Sequence, residues 1–116
     1  MSYLFFSTAD CQQDEIWEYT CNRWGEKQAE EYIRGLHHAI EDAVEKPYLW
    51  RKLKQLEIKE VFYIRYRSHF IFFKILSSKQ LGILCLLHEH MQLPEELLSA
   101  IDDDKTHLVM EEETEY

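Results

Sequence analysis

The sequence predicts an α+β domain. Its order is an N-terminal strand, an antiparallel helical hairpin, a three-stranded antiparallel meander forming a small sheet, a short C-terminal helix and an acidic tail. Three observations carry this. Two apolar stripes of helical period fill residues 9–46 and are interrupted at Gly25. From Glu60 the pattern changes to strand. A chain of 116 residues, 46% of them hydrophobic, supports one core and is short for two.

The elements follow in order. Tyr3 to Ser7 is a short aromatic run, and Ser7 or Thr8 is placed to cap a helix over 9–24. Asp10 and Asp14 favour the positive end of its dipole. Ile16, Trp17, Thr20, Cys21 and Trp24 recur at helical spacing, and Gly25 supplies a left-handed stop. Ala29, Tyr32, Ile33, Leu36, Ala39, Ile40, Ala43 and Val44 form a second stripe, ended by Pro47. Two amphipathic helices joined at one glycine must fold back as a hairpin, with Trp17, Trp24, Tyr32 and Ile33 expected between them. Lys46 to Lys59 has no clean period and reads as a loop with a short turn.

Phe62, Ile64 and Tyr66 then alternate with Tyr63, Arg65 and Arg67, and Ser68-His69 is a turn candidate. Phe70 to Leu76 is a second strand. After a turn at 77–80, Leu81 to Leu87 reads as a third strand, continuous enough to be central and buried on both faces. Pro94 suits a first helical turn, so 95–98 reads as the short terminal helix. Residues 1–98 are expected to be the domain and 99–116 an acidic tail.

The net charge of −9 argues against a polyanion partner only as a whole-chain number. Residues 1–45 carry ten acidic and three basic side chains, residues 46–79 two and nine, and residues 80–116 ten and one. A basic middle is flanked by acidic arms. No run approaches the ~20 apolar residues of a membrane span, and the N-terminus lacks a signal-peptide pattern. Cys11 and Cys21 are roughly 15 Å apart on one helix, too far to bridge. A reducing cytoplasm is the expected compartment.

The residues also resemble a known family. Glu15 to Gly25 with its Trp-Gly break, Gln28-Ala-Glu-Glu-Tyr-Ile33, Lys46-Pro-Tyr-Leu49, Phe70-Ile-Phe-Phe-Lys74 and the closing Leu87-His-Glu-His-Met-Gln-Leu-Pro94 are similar, in order and spacing, to ParE toxins of the ParE/RelE superfamily. The resemblance covers about residues 3–98. It implies the toxin of a bacterial type II toxin–antitoxin pair, neutralised by a ParD-like or similar acidic antitoxin. It implies DNA gyrase as target and no cofactor or metal. No membrane or sequence-specific nucleic-acid partner is expected. RelE-like relatives instead cut messenger RNA on the ribosome.

On that alternative the catalytic groups would be Arg65, Arg67, His88 and His90. The chemistry needs a base for the 2′-hydroxyl, an acid for the leaving oxygen and cations for the phosphorane. No Arg or Lys occurs from Leu81 to Ile101, so the set looks incomplete. His90 stands where many ParE members carry arginine, which exchanges a permanent cation for a titrating one. A detoxified antitoxin-binding module is a third possibility.

The partner-facing residues are expected to be Arg51, Lys52, Arg65 and Arg67, with His88, His90 and Met91 at the closing signature. His88 and His90 alternate by two and could share a face, but no third ligand stands at motif spacing, so a metal site is not expected and His88 reads as a packed signature residue at the strand end. The adjacent His37 and His38 point in different directions and carry little information. Cys85 reads as a small buried hydrophobe. The basic segment suits an acidic antitoxin, or the chain's own acidic tail folding back.

Overall fold

The computed structural model describes residues 2–52, 61–77 and 80–89. His90, Met91, the expected helix at 95–98, the boundary at 98 and the acidic tail lie outside them. The chain runs β1 (Ser2–Phe5), α1 (Ser7–Trp24), α2 (Glu26–Glu45), a 3-10 turn (Pro47–Leu49), β2 (Arg51–Lys52), β3 (Val61–Tyr66), β4 (His69–Ser77) and β5 (Gln80–His88).

These strands form one sheet in the order β1-β5-β4-β3-β2. The expected meander is present: β3, β4 and β5 pair antiparallel, and β5 lies inside the sheet with Leu81 to Leu87 all buried. The sheet is larger than three strands. β1 joins as an edge, parallel to β5 with Tyr3 opposite Leu81 and Phe5 opposite Ile83. At the other edge, Arg51 and Lys52 of the expected loop pair with Tyr63 and Phe62. Two charged residues make a short edge that resists further strand addition.

Local chemistry sets the helix ends. No side chain caps α1: Ser7 is already helical, and the chain enters from an extended Phe6 whose carbonyl accepts from Asp10 N–H. Gly25 is the joint, but its φ of 95° and ψ of 166° are not the expected left-handed pair. Its N–H closes α1 on Cys21 O, while its carbonyl accepts from Ala29 N–H to open α2. A residue that ends one helix and starts the next combines the positive φ of a stop with the extended ψ of a cap. That region is open essentially to glycine alone.

Both helices pack on one face of the sheet. Leu36, Ile40, Ala43 and Val44 of α2 and Ala9 and Ile16 of α1 meet Tyr3, Phe5, Ile64, Ile71, Phe73, Ile83 and Leu86. The second stripe therefore buries as expected. The first does not: α1 buries Ala9, Gln13 and Ile16, leaves Trp17 half-buried and leaves Trp24 65% exposed. Trp24 is thus not a hairpin contact. Tyr32 turns to the sheet instead, its ring edge-on to Tyr66.

The opposite face gathers Phe6, Val61, Phe72, Leu84, Cys85 and Leu87. Its composition depends on a bulge. Phe72 pairs with Cys85 but Phe73 with Ile83, so Leu84 is an extra residue. Leu84 and Cys85 consequently share this second face although they are neighbours in sequence. None of the three cysteines is disulfide-bonded, and no described helix is long and apolar enough to cross a membrane.

Candidate functional site

The basic residues expected to meet a partner sit on strands that the fold brings side by side, yet they divide between the two faces. Directly opposed residues of an antiparallel pair share a face. Arg51 is opposite Tyr63 and so stands on the second face, while Lys52 is opposite Phe62 on the helix side. Arg65 lies over the Phe70 ring at 5.4 Å, again on the second face. Arg67 reaches the helix side, where its guanidinium is 5.8 Å from the Tyr32 ring and 5.6 Å from that of Tyr66. Arg51, Lys52, Arg65 and Arg67 are all exposed. His88 is half-buried at the end of β5.

Arg65, Arg67 and His88 converge on one end of the sheet, around the β3–β4 turn. That turn is Arg67-Ser68, one residue earlier than the sequence suggests, because His69 pairs with Tyr66 and His88 and so belongs to β4. Arg67 adopts φ 52°, a left-handed conformation that few non-glycine residues take. Contacts with two aromatic rings hold it there. Ser68 O accepts from Glu89 N–H at 2.8 Å, tying the turn to the chain beyond β5.

The electrostatics of this end are largely satisfied from within. Arg65 Nη2 donates to Glu89 Oε1 at 2.9 Å, and its Nε donates to Arg67 O at 2.8 Å. His69 Nδ1 shares a 2.7 Å hydrogen bond with the Tyr32 hydroxyl, and its ring meets that of His88 edge-on at 5.3 Å. Burial lowers the His69 pKa to about 4, His88 adds to the fall and Glu89 opposes it. His69 is therefore neutral at neutral pH. Burial raises the Tyr66 pKa, against a smaller lowering by Arg67, and keeps the phenol protonated. Gly35 makes room for this arrangement: a Cβ there would collide with the Tyr66 hydroxyl. The cluster is built to hold a shape and present Arg67. A general base works best with a pKa near the operating pH, and neither His69 nor Tyr66 has one.

A fully buried histidine was not legible as such from its neighbours in sequence. His37 lies in the core between α1, α2 and β1, only 3% exposed, while His38 faces outward toward Glu41. Gln13 Oε1 can only accept, so His37 Nε2–H donates to it, and the Tyr3 hydroxyl donates to Nδ1 at 2.9 Å. The ring stacks on Phe5 at 5.3 Å. Burial pulls its pKa down to about 4, consistent with a neutral imidazole. The available signal was position: residue 37 falls on the same stripe as Ile33, Leu36, Ile40 and Val44. A groove of about 430 Å³ outside it is lined by Trp17, Ile33, Arg34 and His38 among others.

Among the described residues no group of three or more His, Cys, Asp or Glu could hold a metal ion. His90 and Met91 lie outside those residues.

With the geometry in view, the chain can be set beside known proteins. The family described as "ParE toxin of type II toxin-antitoxin system, parDE" matches residues 4–93, so residues 94–116 lie beyond the match. Toxin ParE1 of Mycobacterium tuberculosis, in strains CDC 1551 / Oshkosh and ATCC 25618 / H37Rv, is 32% identical over 100 residues. That alignment spans 82% of this chain and 96% of the relative. The solved structure titled "Chromosomal ParDE TA system from P. aeruginosa" superposes with a TM-score of 0.60 at 15% identity. It covers 76% of this chain and 95% of that one, a likeness of fold.

Proposed function

The chain belongs to the ParE toxin family of type II toxin–antitoxin systems, and from that premise we propose that it acts by binding DNA gyrase rather than by chemistry of its own. Binding blocks replication and arrests growth in the bacterial cytoplasm. A co-expressed acidic antitoxin of the ParD kind neutralises it by direct contact, and on a plasmid such a pair would stabilise inheritance. The partner-facing residues are Arg51, Lys52, Arg65 and Arg67, with His88, His90 and Met91.

One observation carries the choice between binding and chemistry. The groups gathered at the sheet end are satisfied by one another: Arg65 by Glu89 and the Arg67 carbonyl, His69 by Tyr32. Catalysis of RNA cleavage would ask for a cation aimed at a phosphate and a base poised near neutral pH. A protein surface asks only for a fixed shape with cations at its rim. An acidic antitoxin segment would gain its encounter rate from those cations.

The test is expression of the chain without its antitoxin, followed by gyrase supercoiling and translation-dependent RNA cleavage assays. Loss of supercoiling with intact RNA is the expected result. Messenger RNA cut on the ribosome would overturn it in favour of a RelE-like endonuclease, and unimpaired growth would point to a detoxified antitoxin-binding module.

A further inference from the structure

Arg67 and Gly35 each run against the local preference of the element that holds them, and the two meet at one point. Arg67 is the first of the two residues between β3 and β4, where it adopts φ 52°. Glycine, asparagine or aspartate takes that conformation in a tight hairpin at little cost, whereas a long side chain there is strained. Gly35 lies inside α2, where glycine weakens a helix relative to alanine. Space explains it: a Cβ at 35 would strike the Tyr66 hydroxyl and ring.

The point the two residues share is the Arg67 guanidinium. It lies 5.8 Å from the Tyr32 ring and 5.6 Å from that of Tyr66, and these two rings meet edge-on at 5.1 Å. Tyr32 is itself pinned, its hydroxyl 2.7 Å from His69 Nδ1 and 3.4 Å from Ser68 Oγ. The Arg67 backbone is fixed as well, because its carbonyl accepts from Arg65 Nε at 2.8 Å. Arg65, whose Nη2 donates to Glu89, thus braces the turn, while Arg67 is exposed on an aromatic seat. A turn built only for stability would carry glycine or asparagine at position 67. Strain kept at an exposed residue whose side chain is so closely held points to a use for that side chain.

A guanidinium recognises an oxyanion through its planar fork, which matches two oxygens at once, and the rings have already removed much of its rotamer freedom. One pre-set cation suits one carboxylate. The phosphorane of RNA cleavage calls for several cations, and the neighbouring Arg65 is already paired with Glu89 at 2.9 Å.

We propose that Arg67 anchors the antitoxin interface, its guanidinium taking a carboxylate of the acidic antitoxin as a bidentate pair, with Tyr32, Tyr66 and Gly35 as the residues that position it. This rests on the reading that an acidic antitoxin neutralises the chain by direct contact, and it names the side chain on which that contact turns.

Titration calorimetry of the full chain with its cognate antitoxin tests the assignment. Arg67→Gly removes the cation and takes the left-handed turn without strain, so far-UV circular dichroism and melting temperature are expected to hold. Affinity is expected to fall by about thirtyfold or more, with a flatter salt dependence. Arg67→Lys keeps the charge but not the fork and should lose about tenfold. Tyr32→Phe keeps the ring but not the hydroxyl and should lose roughly threefold to tenfold, with no further loss in the Arg67→Gly background. Equal losses in both backgrounds would overturn the positioning role of Tyr32.

Unaltered affinity in Arg67→Gly would overturn the proposal. If that variant instead loses binding to single-stranded RNA, the site belongs to phosphate. A wild-type chain that fails to bind the antitoxin would sink the underlying reading and the proposal with it, a result distinct from wild-type binding that Arg67→Gly leaves intact.

Discussion

Phe72 and Phe73 are neighbours on β4, equally buried at 1% exposure, and they belong to different worlds. Phe73 faces the helices, in a core that spends two polar hubs, His37 with Tyr3 and Gln13 and, at its margin, His69 with Tyr32, to lock two helices onto the sheet. Phe72 faces the other side, whose centre is aromatic and aliphatic and whose polar groups are cations at the rim. The helix face is organised by directional hydrogen bonds between elements. The second face is held by apolar packing, with cations rather than hydrogen-bonded hubs around it.

The sharpest way to break this comparison is to remove each phenylalanine in turn. If both faces are packed, Phe72→Ala and Phe73→Ala each cost about 3–5 kcal/mol, the usual range for a buried phenylalanine. Urea denaturation read by far-UV circular dichroism gives both values. A cost below about 1 kcal/mol for Phe72→Ala, typical of surface substitutions, would mean that the second face is only loosely packed in solution.

Acid separates the faces next. His37 and His69 both have folded pKa values of about 4, pulled down from 6.5 chiefly by burial. The unfolded chain therefore binds more protons than the folded one between about pH 6.5 and 4. Their stabilising contribution is complete above that window and is lost as pH falls through it. Each histidine contributes a slope approaching about 1.4 kcal/mol per pH unit inside the window. Denaturation midpoints measured from pH 7 to 5 should fall, and His37→Gln should flatten the decline. An unchanged slope in that variant would place the acid sensitivity elsewhere.

The smallest effect belongs to the rim. Glu89→Gln removes the charge that pairs Arg65 across 2.9 Å. Arg65 is exposed, so the loss should be only about 0.2–1 kcal/mol in stability. The variant nevertheless leaves Arg65 without its intramolecular carboxylate. Titration calorimetry with the cognate antitoxin should then show tighter binding and a steeper salt dependence, if Arg65 meets the partner. Unaltered affinity would remove Arg65 from the interface.

Much of the candidate site was legible in the sequence, but not its division. Arg51, Lys52, Arg65 and Arg67 stand out as basic residues among aromatics. What the strand register adds is that Arg51 and Arg65 serve one face while Lys52 and Arg67 serve the other. His69 looked like a turn residue and proved to be the half-buried strand partner of Tyr32. Glu89, whose carboxylate holds Arg65, lies 24 positions away in the chain, a separation no local pattern reports.

The sequence by itself determined the order and type of the two hairpin helices and of the three meander strands, since periodicity and Gly25 act through neighbours along the chain. The family was legible in a different way, through the resemblance of short motifs, Trp24-Gly25 and Leu87 to Pro94 among them, to those of ParE toxins. Only the tertiary structure decided which side of α1 is inside, that β1 runs parallel to β5, and that a bulge at Leu84 puts two consecutive residues on one face. Those are outcomes of pairings between segments far apart in the chain. A hydrophobic period states that a face will be buried, but the partner that buries it is chosen by the rest of the molecule.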